Sequence, residues 1–300
     1  YTGKEKVNLL AISHGGQVAG TYLSLHGTEG LVDHALLIVP ALGGAGLAYD
    51  FLNRDIDFDE QTLVKFIEHG FMSETDYHWL VRAEATGFLD DVLYELIPYF
   101  LDSVLYWGSI WDFIPTAYYE ELKARYLDET QSAQLIEKSD RMHEQIMPNY
   151  AEAFAACRAA GVKLNIMAGT DLPIVTGLQQ NSDAIITTAS STGASCAPFG
   201  QRFADGYRGK GCGDASHEHL SPAMTVDAST AYLPENTFFV EGLFHGMEYW
   251  DAHTFELLKK LLLTDDIEDV HSDPAFPQFH ATTNPEQAVT AYFDHSPEGY

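Results

Sequence analysis

The stretch from Val7 to Gly16 constrains this chain more than any other. Val7–Ile12 (VNLLAI) is a short apolar run that stops abruptly at Ser13-His14-Gly15-Gly16; Gln17–Leu25 then has helical character and Gly27 closes it. An apolar run of this length, bounded by turn residues, reads as a strand buried on both faces of a parallel sheet. Leu31–Val39 (LVDHALLIV) is a second such run, followed by the loop Pro40-Ala41-Leu42-Gly43-Gly44. Strand, sharp turn, helix and strand make one βαβ unit, whose helix must cross right-handedly over the sheet.

From about Phe51 to Pro148 strand-like runs vanish and amphipathic helical patterns rich in aromatics take over, among them Leu89–Leu105 and Tyr118–Leu127. This is expected to be an all-helical cap inserted into the α/β core. Its aromatics include Tyr99, Phe100, Tyr106, Trp107, Trp111 and Phe113. They suit either helix packing or an apolar pocket above the sheet. The α/β pattern returns with the helix Tyr150–Ala160, its stop signal Gly161 and the strand Val162–Ala168. A loop-rich stretch, Gly169–Glu235, leads to the strand Thr237–Val240 and the helix Tyr249–Leu263. The expected fold class is therefore α/β, a mostly parallel sheet flanked by helices. The core comprises residues 1–50 and 149–263, the cap 51–148, and an acidic C-terminal extension 264–300.

Charge excludes some partners. Of 300 residues 44 are acidic and 16 basic, a net charge of −28, so a basic surface for nucleic-acid phosphate is ruled out. No apolar stretch approaches the roughly 18 residues of a membrane span. Three cysteines are too few for a disulfide scaffold; Cys157 lies in a helical run and reads as an inert core residue. Cys196 and Cys212 bracket a Gly-rich loop, either as a disulfide, which implies an oxidising compartment, or as two reduced thiols. No zinc spacing is present. The run Asp265-Asp266-Ile267-Glu268-Asp269 lacks EF-hand spacing and reads as a solvated charge run, so neither a metal nor a cofactor is expected.

The chemistry-bearing signal is Ala11-Ile12-Ser13-His14-Gly15. A nucleophilic serine needs its hydroxyl lifted off the sheet on a tight strand-to-helix turn, with small residues on either side where the two backbones nearly touch. Ala11 and Gly15 fill those positions. The pattern in this setting resembles the nucleophile elbow of the α/β-hydrolase superfamily, in the Ala-x-Ser-x-Gly form of bacterial lipases. That resemblance, over roughly Val7–Leu263, implies a serine hydrolase cleaving carboxylic esters. It orders the site as serine, then acid, then histidine, with the histidine after the last strand. His245, in Phe244-His245-Gly246 beyond Thr237–Val240, holds the base position. Asp183, in Asn181-Ser182-Asp183-Ala184-Ile185-Ile186, matches the segment in which such enzymes place the acid; Asp171 and, less closely, Asp227 are alternatives. The His14 backbone N–H would bind the oxyanion. Leu42, Tyr106, Trp107 and Trp111 are the candidate pocket residues, for a small-molecule or lipid ester. His217 and His219 fall in a polar loop.

One feature departs from that superfamily, in which about four strands precede the elbow and a loop among them gives a second oxyanion N–H. Losing one donor costs about 2.7–4 kcal/mol of transition-state stabilisation. The expectation is that an N-terminal fragment of the same protein, removed or held as a separate chain, completes the fold; the alternative is that another element, such as the tail, takes its place. A secreted or cell-surface enzyme is one reading. The alternative is a non-catalytic member of the fold that uses its aromatic cap for binding.

Overall fold

The computed structural model describes residues 3–45, 48, 52, 78, 82, 86, 105, 107–127, 132–170, 183, 185–186, 188–191, 236–241, 243, 245–249 and 251–264. Its centre is a four-stranded, wholly parallel sheet in the order β1 (Val7–Ile12), β2 (Val32–Ile38), β3 (Lys163–Thr170), β4 (Thr237–Glu241). Chain order and spatial order coincide, so every crossover steps to the adjacent strand.

Period-two alternation assigns the two faces. Leu9, Ala11, Ala35, Leu37, Leu164 and Ile166 point to one side. There they pack on α1 (His14–His26), through Ala19 and Leu23, and on α5 (Tyr150–Ala159), through Tyr150, Phe154 and Cys157. Ile12, Leu36, Ile38, Met167, Phe238 and Val240 point to the other, against Leu257, Leu258 and Leu261 of α7 (Ala252–Leu263). The result is three layers, with β2 and β3 buried on both faces, as their near-continuous apolar runs demand. Two bonds tie the end of α7 back to the sheet. The Asn8 side-chain amide donates to the Leu262 carbonyl (2.6 Å) and His34 Nε2 to that of Thr264 (3.2 Å). Among the described residues β1 is the outer strand on its side, and Val7 and Leu10 are substantially exposed there.

Between β2 and β3 the described residues are helical: α2 (Gly108–Asp112), α3 (Thr116–Tyr126) and α4 (Ala133–Arg141), then a π turn (Met142–Ile146) and a short 3-10 turn running into α5. A four-residue helix, α6 (Thr188–Ser191), follows β3. Ala48, Leu52, Trp111, Ile114, Tyr118, Tyr119 and Leu122 enclose a second core in the helical segment. His143 in the π turn bridges it: its Nε2 donates to the Trp111 carbonyl (2.8 Å), its Nδ1 accepts from Thr116 Oγ1 (3.0 Å), and its ring stacks on Tyr119. Burial pushes the His143 pKa down to about 4, so this bridge is neutral at physiological pH.

Sequence and structure agree on each expected strand to within two residues. α1 starts three residues earlier than Gln17, directly at His14, because the glycines of the turn are themselves helical. α7 starts later than Tyr249, at Ala252, where Asp251 caps it by accepting from the Thr254 N–H (2.9 Å) and hydroxyl (3.1 Å). Residues 89–104 of the expected helix Leu89–Leu105, the Cys196–Cys212 loop, and the extension beyond Thr264 lie outside the described residues. Cys157 is buried and reduced, its thiol pKa raised by burial. No helix among the described residues is long and apolar enough to cross a membrane.

Leu37 is fully buried at the centre of β2. Leu37→Ala should lower unfolding stability by about 2–5 kcal/mol, read as a shift of the urea midpoint at unchanged m-value.

Candidate active site

The carboxyl ends of the strands share one edge of the sheet, and the candidate residues gather there. Ser13 follows β1 with φ 56° and ψ −128°, a region of backbone space that costs an L-residue roughly 1–3 kcal/mol. Its amide donates to the Ile38 carbonyl (2.9 Å), and its own carbonyl accepts from Gly16 (2.8 Å) and Ala41 (3.3 Å). Serine at the head of a helix ordinarily caps it with its hydroxyl. Here no such bond forms, and Oγ is free to turn outward. Gly16 is required for a separate reason: a Cβ on it would collide with Pro40, in the loop that leaves β2.

That Oγ lies 2.9 Å from Nε2 of His245, and Nδ1 of His245 lies 2.7 Å from Oδ2 of Asp183. A carboxylate accepts only, so Nδ1 carries the proton and donates to Asp183, leaving Nε2 to accept from the Ser13 hydroxyl. Asp183 is fully buried. Its second oxygen, Oδ1, accepts the backbone N–H groups of Ile185 (3.0 Å) and Ile186 (2.7 Å). The Asp183 carbonyl also accepts the His245 backbone N–H (2.8 Å), which fixes the base to the acid through main chain and side chain together. Gly169 of β3 makes room for this: a Cβ there would overlap that of Asp183. Two amide bonds, one main-chain bond and one missing Cβ thus hold the acid where a histidine can reach it.

Of the expected residues, Ser13, Asp183 and His245 come together. The His14 main chain opens α1, where the first N–H groups have no intrahelical partner and the helix dipole favours an anion. Its side chain turns aside: Nδ1 bonds to Gln17 Oε1 (2.9 Å), and the ring meets Phe113 edge-on at 5.0 Å. Two of the candidate pocket residues lie in cores. Leu42 is enclosed in the core beneath α1, against Gly20, because the loop after β2 folds inward. Trp111 is fully buried, its indole N–H spent on the Leu105 carbonyl (2.8 Å), and it forms the centre of the helical core. Trp107 is half-exposed. Tyr106, Asp171, Asp227, His217 and His219 lie outside the described residues. Phe113 belongs to the same aromatic run and takes the place beside the site that Trp111 does not. Ile185 and Ile186, from the acid loop, pack with Ala41, Ala45 and Phe113 nearby.

Glu248 was not anticipated. It is fully buried, accepts the Gly246 N–H on Oε2 (2.7 Å), and places a carboxylate oxygen within 4.8 Å of Asp183 and a ring nitrogen of His245. A second acidic group, Glu120, Asp140 and Glu144, is more exposed. The Asp140 carboxylate is already held by Lys123 Nζ (2.8 Å) and the Tyr119 hydroxyl (2.6 Å), an ammonium standing where a cation would sit.

No family model matches the chain, and no curated protein or solved structure matches it. The geometry stands by itself.

The strain at Ser13 is measurable without any substrate. Ser13→Gly should raise unfolding stability by about 1 kcal/mol, the relieved strain exceeding the entropy of the added glycine, while Ser13→Ala should not. Equal stability of the two variants in urea would show that the turn is unstrained.

Proposed function

We propose that this chain is a serine hydrolase of the lipase or esterase type, with an α/β-hydrolase-like core and a helical cap. The observation that carries the reading is the continuous Ser13–His245–Asp183 hydrogen-bonded chain at the carboxyl edge of a parallel sheet, beginning on a strained serine. A serine hydroxyl is a weak nucleophile at its ordinary pKa, and an adjacent base oriented by an acid is the arrangement that activates it.

On this reading Ser13 Oγ attacks the ester carbonyl carbon while His245 Nε2 takes the hydroxyl proton. The imidazolium so formed faces Asp183, whose buried charge stabilises it without itself being protonated. The His14 N–H, on the residue after the nucleophile, donates to the oxyanion. Collapse of the tetrahedral intermediate breaks the ester C–O bond, and His245 returns its proton to the departing alcohol. Water, activated by the same imidazole, then releases the acid from Ser13. Phe113 and Ile185, partly buried near the entrance, favour an apolar acyl group. Secretion is part of the same proposal, supported by the Cys196 and Cys212 pair in the sequence.

Ser13→Ala should abolish both p-nitrophenyl ester turnover and fluorophosphonate labelling, and Asp183→Asn should lower kcat by about 10⁴-fold by leaving the imidazole in the wrong tautomer. Labelling that persists in Ser13→Ala would remove Ser13 from the mechanism. Failure of the intact chain to label or to turn over any ester favours the non-catalytic alternative.

A further inference from the structure

Glu248 is a carboxylate with no described countercharge. Oε2 accepts the Gly246 N–H, whereas Oε1 is buried with no hydrogen-bond partner among the described residues. The titratable neighbours in its cluster are Asp183 and His245. Asp183 is fully buried as well, and two ionised carboxylates this close, both out of water, repel strongly. Among the described residues, Oδ1 of Asp183 is filled by two backbone N–H groups, while Oδ2 serves His245 and has one lone pair left. The cluster lacks one hydrogen, and it has one place to put it.

We propose that Glu248 is a positioning residue: a neutral carboxylic acid whose Oε1 proton is shared with Oδ2 of Asp183, holding the acid of the triad in line with His245. This rests on the hydrolase reading for its consequence in catalysis, and on the buried carboxyl pair alone for the shared proton. Burial first, and the negative Asp183 second, push the Glu248 pKa up to about 9, so the proton is retained through the physiological range. The role differs from that of Asp183. Glu248 touches neither substrate nor the nucleophile; it acts on the imidazole through its neighbour. A neutral donor supports the carboxylate without neutralising it, so the triad keeps its charge.

The sign of the pH effect follows from linkage. Glu248 binds a proton in the folded protein that it releases on unfolding, at any pH between its ordinary 4.5 and about 9. Its contribution to stability is therefore complete below the lower value and is lost as pH rises toward the upper one.

The test compares wild type, Glu248→Gln and Glu248→Ala by thermal unfolding near pH 5 and near pH 9, and by p-nitrophenyl ester kinetics over the same range. Glutamine keeps an acceptor for Gly246 and gives a fixed N–H donor for Asp183. Relative to wild type, Glu248→Gln should gain unfolding temperature near pH 9 and not near pH 5. Glu248→Ala should lower kcat about tenfold with little change in KM, Glu248→Gln should recover most of that loss, and the alkaline decline of the wild-type rate should be absent from Glu248→Gln. A stability difference that does not vary with pH would overturn the shared proton even if the chain hydrolyses esters. A rise in unfolding temperature on adding zinc, lost in Glu248→Gln, would also overturn it, by making the cluster a cation site. Absence of turnover in wild type, with the pH-dependent difference present, would overturn the hydrolase reading and the positioning role and leave the shared proton standing.

Discussion

Parallel strand pairing, in one register from Leu9 to the carboxyl edge, is the constraint on which everything else depends. Ile12, Ile38, Met167 and Phe238 sit side by side across the four strands. One row beyond, the first strand delivers Ser13, while β3 and β4 continue to Thr170 and Glu241. These two strands reach further past the serine than β1 does, and Asp183 and His245, which follow them along the chain, come to within 2.9 Å or less of their partners. Shifting one strand by one residue would turn its core side chains to the opposite face, and would move one of the three site residues by a strand step of roughly 3.3 Å. Apolar packing therefore sets the hydrogen-bond geometry, since the pairing that buries Leu36, Ile38 and Met167 is the pairing that aligns the edge.

Placing a charge at that edge has an electrostatic cost. A carboxylate with no exposure is tolerated only where its lone pairs are filled. At Asp183 the main chain does this with the Ile185 and Ile186 N–H groups, a local turn that needs no distant partner. The imidazole takes the other oxygen. A chain with net charge −28 adds a diffuse negative field, which raises the value of these directed donors and favours the proton-bearing form of any second acid pressed against the first. Glu248 is that second acid.

Much of this was legible along the chain, for identifiable reasons. β1 and β2 are short apolar runs ended by Ser13 and by Pro40, so their limits are set by local chemistry that the sequence displays. The turn at Ser13 was marked by Ala11 and Gly15, but the structure moves the size limit by one residue: a Cβ on Gly15 would meet nothing, whereas one on Gly16 would collide with Pro40. His245 followed from its place after β4. Asp183 could be named only with Asp171 beside it, because a buried bridge residue and a loop carboxylate look alike until the Gly169 contact and the two amide bonds are seen. Glu248 stands three residues beyond His245, in Gly246-Met247-Glu248, and nothing local distinguishes it from a solvated glutamate. Trp111 and Phe113 exchange the roles their shared aromatic run suggested, for tertiary reasons: the Leu105 carbonyl captures the indole N–H, and the next turn directs Phe113 toward His14.

The helical segment is bonded to α1, the helix that follows Ser13, and on the hydrolase reading this bears on how an ester would be chosen. Gln17, buried in the first turns of α1, accepts from His14 and donates to the Asp112 carbonyl at the end of α2 (2.9 Å). Phe113 follows immediately. The Phe113 ring is therefore positioned by the same turn that carries His14. Trp111 and His143 hold α2 from behind, and because the His143 bridge is neutral down to about pH 4, mild acid leaves it intact. A mutation at Gln17 should therefore loosen the start of α1 and the end of α2 together, read as a lower urea midpoint and, on the hydrolase reading, as a lower catalytic rate.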